Sequence, residues 1–173
     1  MTMKLDEVKL KSPKPKQIDV NTGIDAKSRD AISEGLHKLL ADSYCLMLMS
    51  QNYHWNVQGP AFRELHLMTE EHYRELFEAV DVIAERIRAL GQHVRGTMKD
   101  FNDITDIQIP NGKLSQEEMI ADLLEGHETV ARSARSVVQV ASKAGDEATV
   151  DLLTQRLDYH EKTAWMLRSM LEA

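Results

Sequence analysis

The sequence contains few of the residues that interrupt helices or build sheets. Its 173 residues include only four prolines and eight glycines, and aromatic residues make up 5% of the chain. Proline and glycine are the poorest helix formers and sheets are enriched in aromatic residues, so these scarcities together favour an all-α protein. The length suits one domain with a sizeable core and is too short to predict two.

Two further scarcities bear on the cellular compartment of the protein. Cys45 is the only cysteine, so no disulfide can form within the chain, and a reducing compartment is the simpler assumption. No apolar run approaches the roughly 18 residues of a membrane span. The N-terminus, MTMKLDEVKLKSPKPK, lacks the apolar centre of a signal peptide. These features predict a cytoplasmic protein without a membrane partner.

Charge is unevenly distributed along the chain. The formal net charge is −7, yet residues 1–16 carry five lysines against Asp6 and Glu7 and sum to +3. Residues 17–173 therefore sum to −10. An acidic body attracts metal cations and repels nucleic acid, whereas a basic segment does the reverse.

Residues 1–25 are predicted to form a mobile, lysine-containing tail. They show no apolar periodicity, and Pro13 and Pro15 prevent a regular helix. Two interpretations of the tail remain open. It would bind DNA phosphates through charge alone, or it would act only as a solubilising arm.

Residues 26–173 are predicted to form a four-helix bundle. The expected helices span about 26–57, 62–90, 115–145 and 146–171, and a long connection at 91–114 includes a short helix near 100–106. Gly91 stops the second helix, Ser115 and Glu118 form a capping box for the third, and Asp146 caps the fourth. One long crossover between the second and third helices and short connections elsewhere define the topology.

Each predicted helix has an apolar face that is expected to form the core. The first helix contributes Ile32, Leu36, Leu39, Leu40 and Met47, and the fourth contributes Val150, Leu153, Leu157, Trp165, Leu167 and Leu171. His72 falls on the apolar stripe of the second helix. We expect it to be a core histidine with one hydrogen-bond partner.

The second helix also carries a polar stripe that faces away from this core. With His66 at 0° and about 100° per residue, the apolar stripe falls between about 200° and 320°. His66, Glu70, Asp81 and Glu85 fall between 0° and about 100° on the same wheel. The stripe therefore needs an explanation other than packing within the chain.

A solvated face is one interpretation of this stripe, with ion pairs such as Glu70 to Arg74. Two features argue against it. Asp81 and Glu85 are like charges four residues apart, which repel each other unless a cation lies between them. Phe77 places a large apolar group in the middle of the polar face.

Distance favours a site shared between two chains. His66 and Glu85 are 19 residues apart, which is about 28 Å along a helix, so one helix cannot bring both to one metal ion. An antiparallel second copy that pairs residue i with residue 151−i sets His66 opposite the partner's Glu85 and Glu70 opposite the partner's Asp81. His54, near the end of the first helix, would complete a set of oxygen and imidazole ligands that suits iron.

The segments YHWNVQGPAF, LHLMTEE and DVIAERI resemble those of the Dps family of ferritin-like mini-cages, and the resemblance covers residues 26–171. It implies a ferritin-like bundle that assembles from two-fold dimers into a hollow dodecameric shell. Such a shell is a ferroxidase that oxidises Fe(II), preferentially with hydrogen peroxide, and stores the ferric product. It thereby protects DNA from oxidative damage, and some members also bind and compact DNA.

The resemblance also implies roles for particular residues. The implied ligands are His54, His66 and Glu70 of one subunit and Asp81 and Glu85 of its partner. Glu70 departs from the family, which commonly has Asp there, and this puts the strength of that ligand in doubt. Trp55 matches the tryptophan beside the family's site, where it would accept an oxidising equivalent; the other interpretation is packing at a helix end.

An iron site within one bundle, as in true ferritins, requires Glu-x-x-His motifs on two helices. The sequence has one, from Glu34 to His37, and no second, so an intrachain site is not expected. The runner-up function is a structural, DNA-compacting nucleoid protein whose polar stripe only holds the dimer together.

Two other acidic groups have open interpretations. Glu71, Glu75 and Glu78 would nucleate ferric mineral if their face borders a cavity, or would form a solvated outer face. Glu147 and Asp151 resemble residues that line the family's iron-uptake pores. Carboxylates in the first turn of a helix are also ordinary dipole stabilisers.

Overall fold

The computed structural model describes residues 20–172, and these residues form five α-helices. The helices are α1 (Ala26–Asn56), α2 (Phe62–Ala89), α3 (Met98–Ile104), α4 (Gln116–Lys143) and α5 (Glu147–Leu171). No strand occurs in this part of the chain. The all-α prediction, the four long helices and the short helix in the crossover are confirmed. The tail lysines at positions 4–16 lie outside the described residues.

The helix ends follow from local side-chain chemistry. Ser115 and Glu118 form the predicted capping box at the start of α4, and Asp146 accepts a hydrogen bond from the Thr149 backbone N–H at 3.1 Å to cap α5. α2 ends before Gly91, whose φ of +92° is a left-handed conformation that favours glycine. Within residues 20–172, no helix is long and apolar enough to cross a bilayer.

The four long helices enclose one core. α1 packs against α2 and α4, α4 packs against α5, and the short helix α3 lies against α1. The residues predicted for the core face of the first helix are all buried. The prediction for the fourth was wrong at Trp165, which is 61% exposed, and at Leu171. Trp165 lies about 120° from the buried Leu153 around the helix, which carries it off the core face.

A buried carboxylate fastens the crossover to the bundle. Asp42, in α1, is completely buried and accepts hydrogen bonds from Lys38 Nζ (2.7 and 2.8 Å), Thr105 Oγ1 (3.0 Å) and the Asp106 N–H (2.9 Å). The Ser133 hydroxyl of α4 also donates to it, at 2.7 Å. One side chain therefore holds α1, the crossover and α4 together.

We expect Asp42→Ala to lower the free energy of unfolding by about 3 kcal/mol, because it leaves several buried donors without their acceptor. Asp103→Ala is the matched control, since Asp103 is exposed and pairs only with Lys99. The measurement is the apparent melting temperature of both variants at equal protein concentration. Equal melting temperatures would show that the Asp42 network does not stabilise the crossover.

Candidate metal centre

The two histidines predicted at the turn between the first helices lie face to face. The rings of His54, in the last turn of α1, and His66, near the start of α2, stack with centroids 3.8 Å apart. His54 Nδ1–H donates to the His66 carbonyl (2.8 Å), and His66 Nδ1–H donates to the His54 carbonyl (2.9 Å). Because carbonyls only accept, Nδ1 of each ring carries the hydrogen, which leaves Nε2 as the nitrogen of the neutral imidazole that can bind a metal. Metal-binding histidines commonly have this arrangement.

Two aromatic residues that the sequence interpretation missed surround this histidine pair. The Phe62 ring stacks on His66 with centroids 5.2 Å apart, and the rings of Tyr73 and His54 form a T-shaped contact with centroids 5.4 Å apart. Phe62 lies four residues before His66 and Tyr73 seven residues after it, so helical spacing alone could have placed both beside the pair. Phe62 and His54 both stack on the His66 ring, which leaves the edge of that ring as its reactive side.

Glu70 follows His66 by one helical turn and contacts Arg74. The guanidinium donates to Glu70 Oε1 from Nε (3.0 Å) and from Nη2 (2.6 Å). This hydrogen bond and the positive charge of Arg74 lower the pKa of Glu70. The ion pair named in the solvated-face interpretation therefore forms. It engages one oxygen of the carboxylate, and the group stays ionised beside the two histidines.

Asp81 and Glu85 lie at the other end of the same helix. Both are exposed, and neither forms a salt bridge to another described residue. Within residues 20–172, no three histidine, cysteine or acidic side chains form a group that could hold a metal ion. One protomer thus presents two separated halves of the predicted ligand set, with His54, His66 and Glu70 on one and Asp81 and Glu85 on the other.

Between these halves the helix exposes an apolar side chain next to a groove. Phe77 is 63% exposed and borders a groove of about 460 Å³. The apolar lining includes Leu40, Tyr44, Val80, Ala84, Val94 and Phe101, and Asp81 also borders it. A large aromatic ring beside an open apolar groove indicates a surface that another protein covers.

The other residues predicted to take part in function are not members of the histidine pair. Trp55 is adjacent to His54 in the chain but is 68% exposed. Glu71 and Glu78 are exposed, whereas Glu75 forms an ion pair with Arg156 of α5. Of the three glutamates predicted to nucleate mineral, Glu75 is therefore already neutralised by an ion pair.

The two acidic residues that resemble those of the family's iron-uptake pores lie at the start of α5. Glu147 and Asp151 are both exposed. Gln155 donates a hydrogen bond to Asp151 at 2.9 Å. Glu147 lies in the first helical turn, where a carboxylate also favours the helix dipole.

His72 is buried, as predicted, but the expected hydrogen bond was wrong. Its Nδ1 finds no hydrogen-bond partner among the described residues. Its ring meets the His127 ring of α4 edge to face, with centroids 5.1 Å apart. The sequence pattern could not foresee this contact, because α2 and α4 are distant along the chain.

Comparison with known proteins agrees with this architecture. Residues 33–173 match the family model of the ferritin-like domain. DNA protection during starvation protein 2 of Bacillus anthracis is 36% identical over 140 residues, covering 81% of this chain and 96% of that protein. A low temperature-induced protein of Nostoc sp. is 39% identical over 155 residues, covering 88% and 87% of the two chains.

Solved structures give the same result. DpsC from Streptomyces coelicolor superposes with a TM-score of 0.87 at 29% identity and covers 91% of this chain and 92% of its own. The Vibrio cholerae Dps protein, described as a member of a superfamily of ferritin-like diiron-carboxylate proteins, superposes with a TM-score of 0.85 at 27% identity, over 91% of this chain and 99% of its own. The chain therefore belongs to the Dps family of ferritin-like proteins.

Proposed function

We propose that this protein is a ferroxidase and iron store that oxidises Fe(II), preferentially with hydrogen peroxide, at sites shared between two subunits. The observation that carries the proposal is the His54–His66 pair. Its two Nε2 lone pairs are fixed beside the ionised Glu70, and imidazole with carboxylate is a donor set that suits iron. Within one protomer this half stands alone, because Asp81 and Glu85 lie at the other end of α2.

A two-fold dimer supplies the other half. In an antiparallel pairing of α2 that matches residue i with 151−i, Asp81 and Glu85 of one subunit meet Glu70 and His66 of the other. The same pairing buries Phe77 and the groove beside it near the axis. The dimer then explains both the separated halves of the ligand set and the exposed Phe77 on α2. Each dimer contains two equivalent sites.

The chemistry follows from what these residues provide. The carboxylates bring negative charge to Fe(II), the substrate, and stabilise the Fe(III) product more strongly because its charge is higher. Two Fe(II) ions give two electrons to one hydrogen peroxide, which with two protons yields two waters. Oxidation inside a closed particle keeps peroxide and iron from generating radicals near DNA, which agrees with the name of the Bacillus anthracis relative.

Family membership supports a proposal for the assembly. We propose a hollow homo-oligomer, a dodecamer built from the two-fold dimers, because closed symmetry repeats one set of contacts without leaving an open end. The first experiment is an anaerobic Fe(II) titration of the purified particle followed by peroxide, with mass measured by light scattering. We expect saturable binding, rapid oxidation and the mass of a dodecamer. A monomer that oxidises iron equally fast would contradict the shared site.

A second function, DNA binding, is favoured by the five lysines within residues 1–16 and by the names of the relatives. We expect the intact protein to retard DNA in a gel, with affinity falling steeply as salt rises, because phosphate contacts release counterions. Deleting residues 1–16 should abolish the shift. Replacing the five lysines by glutamine, with residues 1–16 kept, separates the effect of the charge of this segment from that of its length. This replacement should also abolish the shift.

Retardation that survives both changes would assign DNA binding to another surface. A particle that retards DNA but neither binds nor oxidises iron would favour the structural nucleoid protein over the ferroxidase. No retardation at low salt would leave the tail as a solubilising arm.

A further inference from the structure

Arg74 of α2 is bound to the half-site that His54, His66 and Glu70 form. Its guanidinium donates to Glu70 Oε1 from Nε (3.0 Å) and from Nη2 (2.6 Å). The guanidinium carbon also lies 6.0 Å from the centre of the Tyr73 ring, and that ring contacts His54. Both hydrogen bonds end on the same carboxylate oxygen, so Oε2 of Glu70 is the oxygen left for a metal ion.

In one protomer this ion pair is open to water. The side chain of Arg74 is 69% exposed and that of Glu70 is 31% exposed. Exposed ion pairs contribute little, because water and salt screen the two charges. The influence of Arg74 on a metal ion therefore depends on whether the dimer removes water from the pair.

The proposed two-fold register places Arg74 at the centre of the dimer. Arg74 falls at about 80° on the helical wheel of α2, within the polar stripe that carries the ligands. Matching residue i with 151−i sets it opposite the partner's Phe77. Phe77 is 63% exposed in one protomer, and a guanidinium packs well on the face of an aromatic ring. In the dimer this ring covers Arg74 and excludes water from its pair with Glu70.

Arg74 also changes the charge balance of the proposed site. For one iron per site, the carboxylates of Glu70 and of the partner's Asp81 and Glu85 sum to −3, and the two neutral imidazoles add no charge. Arg74 reduces this sum to −2. One Fe(II) then neutralises the site, whereas one Fe(III) leaves an excess positive charge. Without Arg74 the carboxylates would balance Fe(III), so the site would hold its product best.

We propose that Arg74 is a positioning residue that weakens the binding of ferric iron at the shared site, so that the oxidised product leaves for the store. This inference rests on the proposed function. The hydrogen bonds to Oε1 draw electron density from the Glu70 carboxylate and make Oε2 a weaker donor. The charge of Arg74 repels Fe(III) more strongly than Fe(II). Release transfers no electron: only the bonds between Fe(III) and the protein ligands break, and water replaces those ligands.

Coulomb's law gives the size of the charge effect. At about 6 Å and with the dielectric constant of water, one positive charge weakens the binding of a divalent ion about tenfold and that of a trivalent ion about thirtyfold. These factors are lower limits, because an interface without water has a lower dielectric constant. Removing Arg74 should therefore favour Fe(III) over Fe(II) by at least about threefold.

The first test is Zn(II) binding to the intact, iron-free particle by isothermal titration calorimetry, because Zn(II) is divalent and has no redox chemistry. We expect Arg74→Met to bind Zn(II) at least about tenfold more tightly than the unchanged protein. Arg74→Lys keeps the charge and should restore the affinity to within about threefold. Arg132→Met is the matched control and should leave the affinity unchanged, since Arg132 forms a similar exposed pair with Glu125.

The second test follows iron through successive additions of one Fe(II) per site with peroxide. Mössbauer spectroscopy distinguishes ferric iron held at the sites from ferric mineral. In the unchanged particle we expect the ferric iron to leave the sites before the next addition. In Arg74→Met it should remain there, so that the first addition is oxidised at least as fast as in the unchanged protein and later additions more slowly. Light scattering checks that each variant keeps its mass.

Several results would overturn the inference. Equal or weaker Zn(II) binding in Arg74→Met would show that Arg74 only holds Glu70 in place. The same gain in Arg132→Met would assign the effect to general surface charge. Failure of the unchanged particle to oxidise iron, or Zn(II) binding no different from that of Asp81→Ala/Glu85→Ala, would contradict the proposed function itself. Normal oxidation with no difference between Arg74→Met and the unchanged protein in later additions would contradict this inference alone.

Discussion

Replacing both Asp81 and Glu85 by alanine will reduce the initial rate of Fe(II) oxidation by peroxide to that of the uncatalysed reaction. These residues are exposed, and neither forms a salt bridge to another described residue, so their loss leaves the fold of the protomer intact. In the proposed dimer they supply two of the three carboxylate ligands at every site. The measurement is stopped-flow absorbance of ferric product formation, with particle mass followed by light scattering.

The matched control is Glu117→Ala/Asp158→Ala, which removes the same charge from exposed positions on α4 and α5. Its initial rate should stay within about twofold of the unchanged protein, because long-range charge at the surface is screened by salt. If the two double variants oxidise iron equally fast, the carboxylates at 81 and 85 are not ligands. If both are equally slow, general surface charge and not a defined site controls oxidation.

Mixing two inactive variants will restore activity. A dimer of His66→Ala and Glu85→Ala subunits contains one site with both defects and one with none, because each site takes its histidine from one chain and its Glu85 from the other. Random reassembly of equal amounts makes half of the dimers mixed, so about a quarter of all sites should be intact. The experiment is dissociation, mixing and reassembly, followed by the same oxidation assay.

Two controls define the outcome of mixing. Each variant taken alone through dissociation and reassembly should stay inactive, and a mixture of His66→Ala with Glu70→Ala should also stay inactive, since both residues come from the same half-site. A shared site predicts recovery only in the first mixture. Sites contained within one chain predict no recovery in either.

Much of this architecture could be predicted from the sequence because it depends on local signals. Apolar periodicity defined the long helices, and capping residues such as Ser115 and Asp146 defined where two of them begin. The separation of His66 from Glu85 on one helix also excluded a site on that helix alone, because the rise per residue is fixed. Trp165 was wrongly predicted to face the core because it is apolar, although its angle around the helix places it away from the core face.

Tertiary structure decided the features that depend on contacts between distant segments. The reciprocal hydrogen bonds of His54 and His66 form only because the turn between α1 and α2 places the end of one helix beside the start of the next. The network around Asp42 joins residues up to 91 positions apart. The contact between His72 and His127 likewise depends on how α2 and α4 are rotated against each other. The sequence by itself determined which faces of the helices are apolar and which carry ligands. Only packing determined which of those faces meet, because contacts between distant segments have no local signal in the chain.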